Sequence, residues 1–190
     1  MKNKGISLVE LLVTISIIAI ATIGVIRVSN VHLGWSVNKC SKLIDSALNK
    51  TMTQAMSKEN VKGILLYQED GVYYGTLISR SCRTGAGTYT LEDADIVERI
   101  ELGRQPVTIK VILKETGGTN EKEIELTNQD SHTNMTGAAQ FLYDKGSGAI
   151  YPVAIGGIDY SYTGIIVDCQ GKTQELVIFP ATGRHIFKQR

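Results

Sequence analysis

The sequence predicts an α+β protein: one long N-terminal helix, transmembrane in its first half, packed on an antiparallel β-sheet head. Three observations carry this reading. Residues 6–26 form an apolar block whose one ionisable residue is Glu10. The apolar period then becomes that of an amphipathic helix, and from Val61 onward short β-rich runs alternate with Gly, Asp and Asn turns. The 190 residues suffice for one globular domain plus a membrane segment, and not for two comfortable domains.

As a helix, the block from Ile6 to Ile26 reaches about 30 Å, the thickness of a bilayer's hydrocarbon core. Lys2 and Lys4 precede it and hold the short tail in the cytoplasm, which puts the rest of the chain on the far side. Arg27, Lys39 and Lys42 follow the block, so the shortness of the tail is the better argument. A secretory signal peptide is the competing reading, because Ala19-Ile20-Ala21 fits the small-x-small cleavage pattern. Against it, the apolar run continues past Ala21 and carries a glutamate. A carboxylate inside a span costs up to ~3 kcal/mol at mid-bilayer. Val13 and Thr14 occupy the positions where a helical Lys or Arg would neutralise Glu10. Its partner must come from elsewhere, or the side chain snorkels to the nearby interface.

Beyond Arg27, the residues Val37, Cys40, Ile44, Ala47, Leu48, Thr51 and Ala55 recur at helical spacing, with Lys39, Lys42, Asp45 and Lys50 mostly on other faces. One helix from Ile6 to about Lys58 is expected, stopped by Asn60. Residues 27–60 are thus its amphipathic continuation, and residues 61–190 the head. There, 61–68 and 72–80 read as a hairpin joined by Glu69-Asp70-Gly71. Further strands are expected at 96–102, 107–113 and 124–127, then at 139–143, 149–155, 164–169, 173–179 and 184–187. Short strands and tight turns imply one antiparallel sheet or two small ones. Gly85–Asp95 reads as an exposed, variable loop.

Nothing in the sequence encodes catalysis. His32, His132 and His185 are scattered without zinc spacing, and no nucleophile elbow or phosphate loop occurs. The run Glu92, Asp93, Asp95, Glu98 lacks a calcium-loop arrangement, and a solvated charged edge is the default. No enzyme activity, metal or cofactor is expected. A net charge of +1 supplies no basic excess for a polyanion, so nucleic acid is not an expected partner. Arg184, His185, Lys188 and Arg190 form the one small basic cluster. Cys40, Cys82 and Cys169 contain no CxxC; if the head is exported Cys82 and Cys169 could pair, and otherwise all three are buried thiols.

Lys4-Gly5, an apolar residue, then glutamate at the fifth place of a long apolar helix: this resembles the class III signal of type IV prepilins and pseudopilins. The resemblance implies a leader at residues 1–5, cut by a prepilin peptidase between Gly5 and Ile6. The same peptidase would methylate the new amine of Ile6. Glu10 becomes the fifth mature residue and meets the amine of a neighbouring subunit, an assembly charge pair. Ile6 stands where the family commonly has phenylalanine. Arg27 stands where many members carry a proline, leaving Gly24 and Gly34 as the flexible points. Other pilin subunits, the peptidase and an inner-membrane assembly platform are the implied partners. The implied location is the inner membrane before assembly, N-terminus cytoplasmic, and afterwards a pilus or pseudopilus with the head outside.

Phe141-Leu142-Tyr143-Asp144-Lys145-Gly146, with a strand pair running from Leu176-Val177-Ile178-Phe179-Pro180 into Thr182-Gly183-Arg184, is similar to the C-terminal region of H-type minor pseudopilins of type II secretion and FimT-like minor pilins. Together the resemblances imply a structural, minor subunit of a type IV pilus or a type II secretion-like pseudopilus. The alternative is a competence pseudopilin that binds DNA for uptake.

Overall fold

The computed structural model describes residues 8–57 and 60–188, with the side chains of residues 8, 10 and 19–35 outside that description. Helix α1 spans Leu8–Met56, about 73 Å at 1.5 Å per residue. No proline interrupts it, since the first in the chain is Pro106. It ends two residues before the expected Lys58, and residues 58–59 lie outside the described ones.

All seven residues of the expected stripe, from Val37 to Ala55, are buried, and Ser41 joins them. They face the strands β1, Gly63–Glu69, and β2, Val72–Ile78, together with three strands introduced below. The Thr51 hydroxyl, fully buried, donates to the Ala47 carbonyl at 2.7 Å, so its burial leaves no polar group unpaired.

The β1–β2 hairpin turns on Asp70 and Gly71, with φ of 50° and 74°. That is the left-handed pair a two-residue turn of matching twist requires, and it is why Asp-Gly predicts the hairpin. Residues 85–95, expected as an exposed loop, instead complete a small hairpin of β3, Arg83–Gly85, and β4, Thr88–Tyr89, then enter a 3-10 turn at Asp93–Asp95. Tyr89 and Leu91 are buried there, so this segment is a cover and not a free loop. There follow β5, Ile96–Arg104; β6, Thr108–Glu115; β7, Glu121–Glu125; and β8, Ala139–Leu142. The last four are β9, Val153–Ile155; β10, Ile158–Cys169; β11, Lys172–Phe179; and β12, Arg184–Phe187.

Besides the two-stranded β3–β4 hairpin, two larger antiparallel sheets result. The first has the order β5-β2-β1-β8, and the second β12-β11-β10-β6-β7 with β9 also on β10. The segments on either side of the 144–148 turn part company: β8 joins β1, while β9 joins β10. The main core lies between α1 and the two sheets. Alternate residues of β1 face opposite ways, Ile64 and Leu66 into that core, Leu65 and Tyr67 into a second, smaller one with Ile78, Cys82, Tyr89 and Met135. Burial on both faces explains why β1 reads as a continuous apolar run. Residues 126–138 help cover the smaller core. The buried Gln129 pins them, its Nε2 donating to the Thr127 carbonyl at 2.6 Å and its Oε1 accepting from the Thr136 N–H at 3.2 Å.

The 144–148 turn is built on one carboxylate. Asp144 Oδ1 accepts from the Ser147 hydroxyl at 2.8 Å, the Ser147 N–H at 2.9 Å and the Gly146 N–H at 3.1 Å. Its Oδ2 accepts from the Tyr151 hydroxyl at 3.0 Å. The bonds from Ser147, then that from Tyr151, hold the Asp144 carboxyl down at about 2. Because the folded value lies below the ordinary one, the turn's contribution is complete above about pH 4 and is lost as pH falls through about 2. A carbon-detected NMR titration should find the Asp144 carboxyl still ionised at pH 3. A midpoint near the ordinary aspartate value would mean that the turn does not form.

Candidate functional site

The described part of the helix's first third is apolar on every side. Val9, Leu11, Leu12, Val13, Ile15, Ile17 and Ile18 are all 49–68 % exposed. At 100° per residue they point all round the helix, and a helix apolar all round is one that lipid or protein covers. Fully covering such a side chain is worth about 1.5–3 kcal/mol, so this stem has strong reason to find lipid or other helices. The Ser16 hydroxyl donates to the Leu12 carbonyl at 2.9 Å and so costs little when covered. Among the described residues no helix is long and apolar enough to cross a membrane; the side chains of residues 19–35 lie outside them. Gly5 and Ile6 also lie outside the described residues, as does the side chain of Glu10.

From Ser36 onward the helix is mounted on the head. Besides the apolar stripe, two polar ties hold it. Lys50 Nζ pairs with Glu98 of β5 at 2.5 Å, and His185 Nε2 of β12 lies 3.0 Å from Asp45 Oδ1, its ring 1 % exposed. Gly103 lets β5 approach closely, since a Cβ there would lie 3.0 Å from Cys40 Sγ. Sequence patterning found the apolar stripe but missed both ties, because residues 48 or 140 apart in the chain show no local sign of meeting.

The structure reassigns several other residues. Cys40, Cys82 and Cys169 are buried free thiols, Cys82 in the smaller core and Cys169 in the main one. The pairing of Cys82 with Cys169 that the sequence left open is therefore not made. Burial pushes the thiol of Cys40 up to about 12 and that of Cys82 to about 11, which leaves both unreactive. In the acidic run, Arg80 takes Asp95 at 2.5 Å and Glu92 at 2.7 Å, and Lys50 takes Glu98. Among the described residues no group of three or more His, Cys, Asp or Glu side chains could hold a metal ion. The basic cluster is dispersed: His185 turns inward to Asp45, Lys188 pairs with Glu175 at 2.9 Å, and Arg190 lies outside the described residues.

A stem apolar on all sides, continuous with a helix mounted on a sheet head, is what remains as the functional feature. Residues 1–26 match the family model described as the prokaryotic N-terminal methylation motif. The chain carries a type IV pilin-like prepilin signal. Comparison with curated proteins and with solved structures finds no match. The prepilin signal covers the leader and the apolar block and stops ten residues before Ser36, where the described mount begins, so it speaks for the stem and not for the head.

Proposed function

We propose that this chain is a structural subunit, a minor one, of a type IV pilus or a type II secretion-like pseudopilus, made as a membrane-anchored precursor and released for assembly by prepilin peptidase. The observation that carries the reading is the prepilin signal at residues 1–26, overlapping the start of a helix whose described first-third apolar side chains are uncovered. Cleavage between Gly5 and Ile6 and methylation of Ile6 leave Glu10 at the fifth mature position. In the precursor the block 6–26 spans the inner membrane, with the tail cytoplasmic and the head outside. In the filament the same apolar surface is covered by the helices of neighbours. Charged residues on the head, Glu98 with Lys50 of the helix and Arg80 with Asp95, are engaged in structural ion pairs, which supports a scaffold role.

Intact-mass analysis of the protein from sheared filaments tests this reading. The expected product begins with methylated Ile6, and Gly5→Val is expected to leave uncleaved precursor in the membrane, since a branched side chain replaces the glycine at the cut. A mature chain beginning at Thr22 would instead indicate a secretory signal peptide cut after Ala21 and would sink the proposal. The competence reading needs an exposed basic patch. With His185 buried and Lys188 paired, Arg184 is the one member of the C-terminal cluster without an ion pair among the described residues. This favours the filament role.

A further inference from the structure

The two edges of the larger sheet are opposite in charge and equal in direction. Its path, β12-β11-β10-β6-β7, has five strands, and every neighbouring pair is antiparallel. An odd number of alternating strands leaves the two edge strands, β12 and β7, running the same way. Cross-strand pairing links Glu123 to Ile112, Gly164, Val177 and finally Ile186, so Glu123 and Ile186 stand on one face. That face is the outer one, because the residues between them in sequence turn inward: Ile124 and Phe187 pack on the main core, and His185 reaches α1. On the outer face β7 presents Glu121, Glu123 and Glu125, while β12 presents Arg184, Ile186 (56 % exposed) and, just past its end, Lys188. Both sets have the two-residue spacing of a strand face.

We propose that β12 of one copy of this chain lies alongside β7 of a second copy, in parallel, so that the heads join in an open head-to-tail series. In-phase pairing sets Arg184 against Glu121, Ile186 against Glu123, and Lys188 against Glu125. The internal row Glu125, Lys110, Ile166, Glu175, with Lys188 beyond it, already runs negative, positive, apolar, negative, positive. A second copy continues that alternation. An edge paired with its own counterpart would instead oppose like charges, which is unfavourable. Heterologous contacts that do not close generate filaments, and a parallel pair keeps all copies pointing the same way. The inference rests on the filament reading above and adds to it a surface on the head.

The test uses the full chain in its own membranes and in sheared filaments. Cysteines are placed at Glu123 and Ile186, and the chain is mildly oxidised; the three native thiols are buried and serve as the unaltered control. The double variant should give a ladder of dimers, trimers and higher species, and each single variant monomer alone. Reversing Glu121 and Glu125 to Lys should lower the cross-linked fraction about tenfold, and adding Arg184→Glu and Lys188→Glu should restore it. A ladder that charge reversal leaves unchanged, or a dimer from either single variant, overturns the proposal. Filaments that contain the double variant but give no ladder also overturn it, while sparing the filament reading. A ladder in membranes without incorporation into filaments supports the contact and sinks the filament reading. Absence of both refutes both.

Discussion

Replacing Glu10 by alanine is expected to leave the chain made, inserted and cleaved, yet to lower its amount in filaments about tenfold or more. In the lone precursor the carboxylate is a liability, since a charge within the span costs up to ~3 kcal/mol. Glu10→Ala should therefore enter the membrane at least as well as the native chain. In the proposed filament the amine of a neighbour would become the counter-charge, and the low dielectric would strengthen the attraction. Removing the carboxylate strands that amine, and an uncompensated buried charge costs about 3–5 kcal/mol. Each ~1.4 kcal/mol is tenfold in an equilibrium, so even a fraction of this cost depletes the filament. The measurement compares membrane and sheared-filament fractions of both chains. A subunit that caps the tip, with no neighbour above, would escape the effect. Equal incorporation would show that the pairing does not operate on this chain.

Gly63→Ala is expected to destabilise the head by about 3 kcal/mol or more, lowering its melting temperature by roughly 6–12 °C. Gly63 opens β1, between Ile78 of β2 and Leu142 of β8. A Cβ there would fall 2.1 Å from the Phe141 carbonyl oxygen and 3.0 Å from the Leu142 Cα. Both obstacles are backbone, so β8 must move. That movement disturbs Phe141, whose ring centroid is 4.3 Å from that of Tyr162, and the Tyr162 hydroxyl, which donates to the Gln140 carbonyl at 2.7 Å. Gly87→Ala is the control. Its φ is +83° with nothing within 4 Å of the added carbon, so it bears only the conformational penalty, about 1 kcal/mol. Thermal unfolding followed by circular dichroism separates the two, and equal shifts would show that β1 and β8 are not so closely apposed.

The alanine pair also marks the line between local and non-local information. Gly63 sits in a run that reads correctly as strand, and Gly87 in one that reads as a loop but folds as a hairpin, yet nothing beside Gly63 in the sequence says that residue 141 closes on it. The same contrast holds for charge. Arg184, His185 and Lys188 read together as a basic cluster, and the fold sends His185 to Asp45 and Lys188 to Glu175. A side chain's neighbours in space are set by strand pairing, and pairing partners can be far apart in the chain.

By itself the sequence determined the prepilin signal, the helix and its seam, and most of the strands in order. Each of these is written in a local period: an unbroken apolar block, a stripe at three- and four-residue spacing, or a short β-rich run between turn residues. Asp70-Gly71 places its hairpin turn because only a few residues accept a positive φ. Only the tertiary structure decided that there are two sheets, that β8 joins β1 and β6 joins β10, and that residues 83–95 help cover a second core. It alone decided that the three cysteines stay apart, and that the larger sheet ends in one acidic and one basic edge facing the same way. Strand periodicity tells which residues share a face but not which strand lies beside it. That choice follows from closing long loops and burying both faces of β1 at once, which no short stretch of sequence records.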